Sequence, residues 1–183
     1  PALLLVLNIF PLRRLGGPRS WWTRESRGVL LELVPFVVVA AATSVLSLVA
    51  LPEVPQLPPA GQVAVSLYSL AFYLWKTVLP TNLAPLYTLP RDLDPFALRY
   101  IIAGATVLAI SALALTLRRR APALLAGWLA YVLALFPMLG FHQNGPQIAA
   151  DRYTYHAAPV LSILLAAALA IAFRSRVRSA ALA

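Results

Sequence analysis

The chain has 183 residues, of which 61% are hydrophobic and 11% are charged. Soluble globular proteins carry about a quarter charged residues, so the composition predicts a membrane protein. The absence of cysteine excludes disulfides and thiolate chemistry. The net charge of +9 does not by itself indicate a nucleic-acid surface, because in a membrane protein the positions of the basic residues relative to the membrane carry the information.

The first apolar run, residues 2–10, is predicted to be the tail of a truncated span that ends at Pro11. The chain starts at Pro1 without a charged n-region ahead of this run, so we expect a piece of a longer protein. Residues 11–28 follow as a loop with five arginines and two tryptophans. Basic loops with interfacial aromatics are typical of the cytoplasmic side.

Residues 29–51 are mostly apolar and long enough to cross about 30 Å of hydrocarbon. The proline-rich connector that follows has neither Lys nor Arg before position 62 and is placed outside. Residues 62–79 are ambiguous, because their hydropathy alone would allow a span. Their polar residues recur at helical spacing and share one face: Gln62, Ser66, Ser69, Tyr73 and Lys76. A helix of this kind lies in the membrane interface or lines a cavity.

The basic residues indicate which of these two it is. Residues 98–117 form the next clear span and end at the arginine triplet 118–120, a cytoplasmic signal. If 29–51 leads outward and 98–117 leads inward, the segment between them begins and ends outside. We therefore predict that 62–79 is an external interfacial helix. Asp92 and Asp94, just before Pro95, predict a turn ahead of the span.

Residues 121–141 and 157–173 are predicted as two further spans, with the basic tail 174–183 inside. The predicted fold is all-α: a single polytopic membrane domain over 1–183 with about five transmembrane helices. Eleven of the fifteen basic residues are then cytoplasmic, which is the expected bias.

Between the last two spans, residues 142–156 form a polar block that reads HQNGPQIAADRYTYH and contains both histidines. A polar block between membrane spans indicates chemistry at the membrane boundary. With the stripe that ends at Lys76, it is predicted to form a water-facing mouth lined by His142, Asn144, Asp151 and His156. Two histidines and one aspartate are weak grounds for a metal site, so no metal or other cofactor is predicted. Walker, GxSxG, HExxH and dinucleotide motifs are absent from the sequence.

Lys76 and Arg152 each allow two interpretations. Both could bind a lipid phosphate, the ammonium as a point charge and the guanidinium through two parallel hydrogen bonds. Alternatively, Lys76 extends to the lipid headgroups. Arg152 would then be the salt-bridged neighbour of Asp151, with Asp151 as a helix N-cap.

Four strings carry a resemblance to a known family: LLLVLNIFPLRRL, LLELVPFVVVAAATSVLSLVA, YLWKTVLPTNLAPLY, and FPMLGF with AADRYTYHAAPVLSILLAA. Together they resemble the membrane half of GT-C type glycosyltransferases, in particular bacterial relatives of the transmembrane and tetratricopeptide-repeat O-mannosyltransferases. The resemblance implies an integral enzyme, expected in a bacterial inner membrane. It would move a sugar from a polyprenyl-phosphate donor to a hydroxyl of an acceptor protein on the external face.

The resemblance also implies roles for individual residues. Lys76 and Arg152 would steady the departing lipid phosphate, because a fixed cation stabilises the charge that develops there. The mouth would be lined by Tyr73, Asn82, Tyr87, Tyr153 and Tyr155. The catalytic base of the family lies in the first external loop, which would fall upstream of Pro1. We therefore expect no catalytic residue in this chain, and the chain alone should be inactive.

A second hypothesis is a non-catalytic membrane protein, such as a lipid transporter or flippase subunit, and a third is a membrane anchor for a soluble partner. A transporter would be expected to have charged or broken helices at the membrane midplane. Here the ionisable residues lie near the ends of the spans, which favours chemistry at the external face.

Overall fold

The computed structural model describes residues 1–15, 21, 23–50, 56–90, 92–141 and 147–180, with side chains beyond 170 described only for Phe173. Over these ranges the chain is mostly helical, as the sequence predicts. The elements in order are α1 (Ala2–Ile9), α2 (Arg24–Ala50), α3 (Pro59–Val78), β1 (Tyr87–Thr88), α4 (Leu98–Thr116), α5 (Pro122–Leu135), β2 (Gln147–Ala149) and α6 (Thr154–Ala180). Short 3₁₀ turns cover Phe136–Met138 and Asp151–Tyr153.

Three described segments are long and apolar enough to cross a membrane: Arg24–Ala50, Leu98–Arg119 and Asp151–Ala170. A shorter apolar segment covers Pro122–Met138. The 14 residues of α5 extend about 21 Å at about 1.5 Å per residue, less than the roughly 30 Å of a hydrocarbon core. The membrane character of the chain is thus supported by three helices, and the predicted count of five spans is not confirmed.

Two helices begin earlier than predicted, each for a local reason. α2 starts at Arg24 rather than near 29, because the Thr23 hydroxyl accepts a hydrogen bond from the Ser26 amide at 3.3 Å and so caps the first turn. α3 starts at Pro59 rather than 62, since proline suits the first helical position, where its missing N–H has no intrahelical partner to lose.

Most of α2 has no packing partner within the described chain. Its buried side chains lie in the first turns, at Ser26, Val29 and Leu33. None of its most apolar 18-residue window is buried. Arg14 and Glu32 join the loop after α1 to α2 through two parallel hydrogen bonds of 2.7 Å. Because both side chains are about half exposed, solvent screens the pair and its contribution to stability is small.

The core lies where α3, α4, α5 and α6 meet. Tyr131 of α5 donates a hydrogen bond to the Leu70 carbonyl of α3 at 2.6 Å. Trp128 donates to the Ser111 hydroxyl of α4 at 3.0 Å. The same core includes Tyr73, Val107, Ala114, Leu135, Leu139, Ala149 and Ala157. It therefore extends from the helices to strand β2.

The two short strands form an antiparallel pair in which Tyr87 lies opposite Ala149, and Thr88 opposite Gln147. β1 belongs to the connector after α3, and β2 belongs to the polar block before α6. The pairing was not predicted. It brings the segment that follows Lys76 against the segment that precedes Arg152.

Candidate functional site

The polar stripe of α3 faces the protein. Ser66, Ser69, Tyr73 and Lys76 are buried. The exposed residues of the same helix are apolar, including Val63 at 52%, Trp75 at 58% and Val78 at 75%. This is the reverse of an amphipathic helix on a water-soluble protein, and it suits a helix whose outer side meets lipid. The predicted periodicity is present, but the stripe lies against other parts of the chain.

Two hydroxyls of this stripe bind the backbone of the polar block. The Ser69 hydroxyl donates a hydrogen bond to the Ile148 carbonyl at 2.9 Å. The Tyr73 hydroxyl accepts one from the Ala150 amide at 3.2 Å. Tyr73 is fully buried, and this burial raises the pKa of its hydroxyl to about 12. Tyr73 therefore lies beneath the predicted mouth and supports β2 in its neutral form.

Lys76 is a buried cation that holds the loop after α3. Its ammonium donates hydrogen bonds to the carbonyls of Thr81 and Asn82, the latter at 3.0 Å. It also lies 5.4 Å from the ring centre of Phe72 and 5.2 Å from that of Tyr87. Its side chain is 8% exposed, so it does not extend to the headgroups. Two of its three N–H groups bind carbonyls, which leaves one without a hydrogen-bond partner in the described chain.

Asn82 adopts a backbone conformation that suits this role. Its φ angle is +50°, in the left-handed region that Asn tolerates better than most residues. Its carbonyl accepts from Lys76 and lies 2.7 Å from the Tyr87 hydroxyl. The contribution of Asn82 to the site is therefore its backbone oxygen, whereas the sequence analysis counted it as a lining side chain.

Asp151 connects the two segments. Its Oδ2 atom accepts a hydrogen bond from the Ala84 amide at 2.6 Å and lies 2.8 Å from the Tyr87 hydroxyl. That hydroxyl has one proton, so it donates either to Asp151 or to the Asn82 carbonyl. The other oxygen, Oδ1, is buried and has no hydrogen-bond partner in the described chain. The series Lys76, Asn82, Tyr87 and Asp151 is called the clamp below.

The interpretation of Asp151 as an N-cap with Arg152 as its salt-bridged neighbour is wrong. The 3₁₀ turn that begins at Asp151 has no side-chain cap, because the carboxylate is turned toward the loop that contains Ala84. Among the described residues the only ion pair joins Arg14 and Glu32. Arg152 instead contacts its neighbour Tyr153.

Arg152 is exposed and follows the clamp directly in the chain. Its Nη2 atom is 3.3 Å from the Tyr153 hydroxyl, and its guanidinium lies 5.1 Å from the centre of that ring. Tyr153 is half-buried and also accepts from the Gln147 amide group at 3.2 Å. A guanidinium has five N–H donors, so most of those of Arg152 have no partner in the described chain. It is therefore well suited to bind an anion at this surface.

The remaining predicted residues do not join this arrangement. His142 and Asn144 lie outside the described residues. Tyr155, 79% exposed, and His156 lie on the first turn of α6 and take no part in the clamp. Within the described ranges, no group of three or more His, Asp or Glu side chains could hold a metal ion.

Sequence reasoning missed the backbone groups that complete the site. The carbonyl of Thr81 and the amide of Ala84 are essential to it, yet backbone atoms have no residue-type signature. One signal was available: the PTN string after Lys76 contains Pro80 and Asn82, which favour a tight turn. A tight turn close behind a lysine at a helix end suggests that its carbonyls bind the ammonium.

Comparisons with protein families, curated proteins and solved structures found no significant match to this chain. The fold and site thus define a mostly helical chain with membrane-length helices and a hydrogen-bonded polar region at one end of α3 and α6.

Proposed function

We propose that this chain is the lipid-phosphate-binding part of a GT-C type membrane glycosyltransferase, which moves a sugar from polyprenyl phosphate to a protein hydroxyl on the external face. The observation that supports the proposal best is the clamp. It ties Lys76 of α3 to Asp151 before α6, and so holds Arg152 beside the loop that contains Asn82 and Tyr87.

The chemistry follows from the charges in this region. The sugar leaves a phosphate that gains negative charge, and a nearby fixed cation lowers the energy of that step. The ammonium of Lys76 is buried and already binds two carbonyls, whereas the guanidinium of Arg152 is exposed and has donors without a partner in the described chain. Arg152 is then the direct phosphate ligand, through two parallel N–H···O bonds. Lys76 positions the loop and offers its one remaining N–H.

The proposed topology has five spans, with residues 11–28, 118–120 and 174–183 in the cytoplasm of a bacterial cell. Both ends of α3 lie against the same connector, which supports an α3 that does not cross. Gly61, near its start, packs against Leu93, and Lys76, near its end, binds the carbonyls of Thr81 and Asn82. The pairing of β1 with β2 further supports placing the connector and the polar block on one side.

Cysteine labelling tests the topology directly, because the chain has no cysteine of its own. We expect Leu57→Cys and Pro90→Cys to react with a membrane-impermeant maleimide added from outside. Arg119→Cys is the control and should react only after the membrane is permeabilised. Labelling of positions 57 and 90 from opposite sides would make α3 a true span and contradict the proposed topology.

The function is tested in the membrane protein that contains this chain, with a polyprenyl-phosphate sugar as donor. Arg152→Gln should reduce sugar transfer about tenfold or more, because a bidentate charged contact to phosphate is lost. The matched control is Arg118→Gln, which removes the same charge beyond the end of α4 and should leave transfer unchanged. Equal transfer in the two variants would remove Arg152 from the site. A different result is that the parent protein binds the donor, with binding lost in Arg152→Gln, and yet transfers sugar to no acceptor. That result would support the non-catalytic lipid transporter or anchor instead.

A further inference from the structure

A polar cleft lies between β1 and the start of α4. It has a volume of about 310 Å³, and its walls include Tyr68, Tyr87, Thr88 and Arg99. The Tyr87 ring is also part of the clamp, in which it contacts Lys76. Arg99 lines this cleft, whereas Arg152 does not.

This polar cleft leads into an apolar one. The second cleft, of about 280 Å³, shares Tyr68 and Arg99 with the first and runs between α3 and α4 past Trp75, Ala103 and Thr106. Thr106 lies seven residues after Arg99 in α4. That separation corresponds to about 10 Å along the helix. The two adjoining clefts are called the groove below; Arg99 lies where they meet, and the walls between α3 and α4 are mainly apolar.

The charge of Arg99 has no acidic partner in the described chain. Arg99 is exposed, and the only described ion pair joins Arg14 and Glu32. The guanidinium of Arg99 lies 4.7 Å from the ring centre of Tyr100, which is itself buried. A guanidinium has five N–H donors, so the contact with Tyr100 leaves donors of the exposed Arg99 available for an anion.

We propose that this groove binds an anionic phospholipid, with the phosphate at Arg99 and an acyl chain between α3 and α4. The combination of features selects this occupant. A free phosphate would match Arg99 alone, whereas a lipid also covers the apolar walls formed by Trp75 and Ala103. Arg99 lies at the start of α4, and Trp75 is exposed. Cations at helix ends and exposed tryptophans are expected at the level of the lipid headgroups. The site is distinct from the one proposed at Arg152 and requires only that the chain lies in a bilayer.

The test measures lipid retention by the purified chain in detergent micelles, using native mass spectrometry with phosphatidylglycerol and phosphatidylcholine of identical acyl chains. We expect Arg99→Gln to reduce phosphatidylglycerol retention about tenfold and leave phosphatidylcholine unchanged. Arg118→Gln is the matched charge control, because Arg118 lies beyond the end of α4 and lines neither cleft, and it should retain phosphatidylglycerol normally. Circular dichroism confirms that the variants remain helical. Normal retention by Arg99→Gln, or an equal loss in Arg118→Gln, would overturn the proposal.

A second pair of variants tests the acyl-chain part of the groove. Thr106→Phe fills the lower part of the groove at an exposed position and should reduce phosphatidylglycerol retention about threefold by displacing apolar contact. Leu113→Phe, exposed on the same helix outside the groove, should have no effect. Inorganic phosphate at millimolar concentration should not displace the lipid. Displacement by inorganic phosphate, or full retention by Thr106→Phe, would show a simple anion site and contradict a lipid site.

Discussion

The end of α3 and the start of α6 each present one cation at the same polar end, and the two cations differ in how their donors are used. Lys76 is 8% exposed, binds two carbonyls and lies beside two aromatic rings. Arg152 is exposed and contacts only the neighbouring Tyr153 in the described chain. A cation whose donors are satisfied by the protein stabilises a loop, whereas one whose donors are open can bind a ligand. The difference can be tested by comparing stability with binding.

Lys76→Met should have the largest effect on stability. The variant keeps the apolar stem but leaves the carbonyls of Thr81 and Asn82 without their donor. Hydrogen bonds to a charged group contribute about 1.5–3 kcal/mol each, so we expect a loss of about 3 kcal/mol in the free energy of unfolding. Thermal denaturation in detergent micelles measures it. A loss below about 0.5 kcal/mol, the usual range for surface substitutions, would mean that Lys76 does not hold the loop.

Asp151→Ala should have the next largest effect, about 2 kcal/mol, because the Ala84 amide and the Tyr87 hydroxyl lose their shared acceptor. Asp151→Asn is the matched variant. Its amide oxygen can still accept both bonds, so its loss should be smaller than that of Asp151→Ala. If both variants are equally unstable, the negative charge of Asp151, rather than its hydrogen bonds, holds the two segments together.

Tyr87→Phe should cost about 1 kcal/mol, the usual contribution of one hydrogen bond. It removes the hydroxyl between Asn82 and Asp151 but keeps the ring that contacts Lys76. Tyr87→Ala, which removes the ring as well, should be clearly less stable in the same denaturation assay. Equal stability of the two variants would assign no role to the contact between the ring and the ammonium.

Arg152→Gln should have the smallest effect on stability, with a thermal denaturation curve close to that of the parent, since its side chain is exposed. The same variant should lose about tenfold in affinity for polyprenyl phosphate, measured by titration in nanodiscs. The stability of Lys76→Met and its affinity for polyprenyl phosphate should be measured in the same two assays for comparison. Loss of stability without loss of affinity in Arg152→Gln would reverse the assignment of the two cations.

Parts of this arrangement were predictable from the sequence because they depend on local chemistry. The spacing of polar residues in α3 correctly placed Ser66 to Lys76 on one helical face, but that face was predicted to line a water-facing mouth and is buried against the chain. Asp94 forms the predicted turn, because its carboxylate accepts from the Phe96 amide at 2.9 Å. The cap of α2 follows a known pattern, a threonine directly before the helix, so Thr23 could have been predicted as its start from the sequence.

Other parts could not be predicted because they depend on contacts distant in sequence. The partners of Ser69 and Tyr73 are backbone atoms of Ile148 and Ala150, nearly eighty positions away. The strands β1 and β2 have two and three residues. Segments this short show no alternating pattern from which a strand could be predicted. The burial of Lys76 likewise depends on where the chain turns after the helix.

The inward-facing hydroxyls of α3 have a practical consequence for protein engineering. Because the polar contacts of this helix are made inside the bundle, its outer surface can be redesigned without altering them. Exchanging Val63, Trp75 and Val78 for charged residues would make this helix hydrophilic on its outside while every internal hydrogen bond is retained. Extending the same exchange to the outer surfaces of α4 and α5 offers a route to a water-soluble analogue of this end of the protein, suitable for crystallisation without detergent.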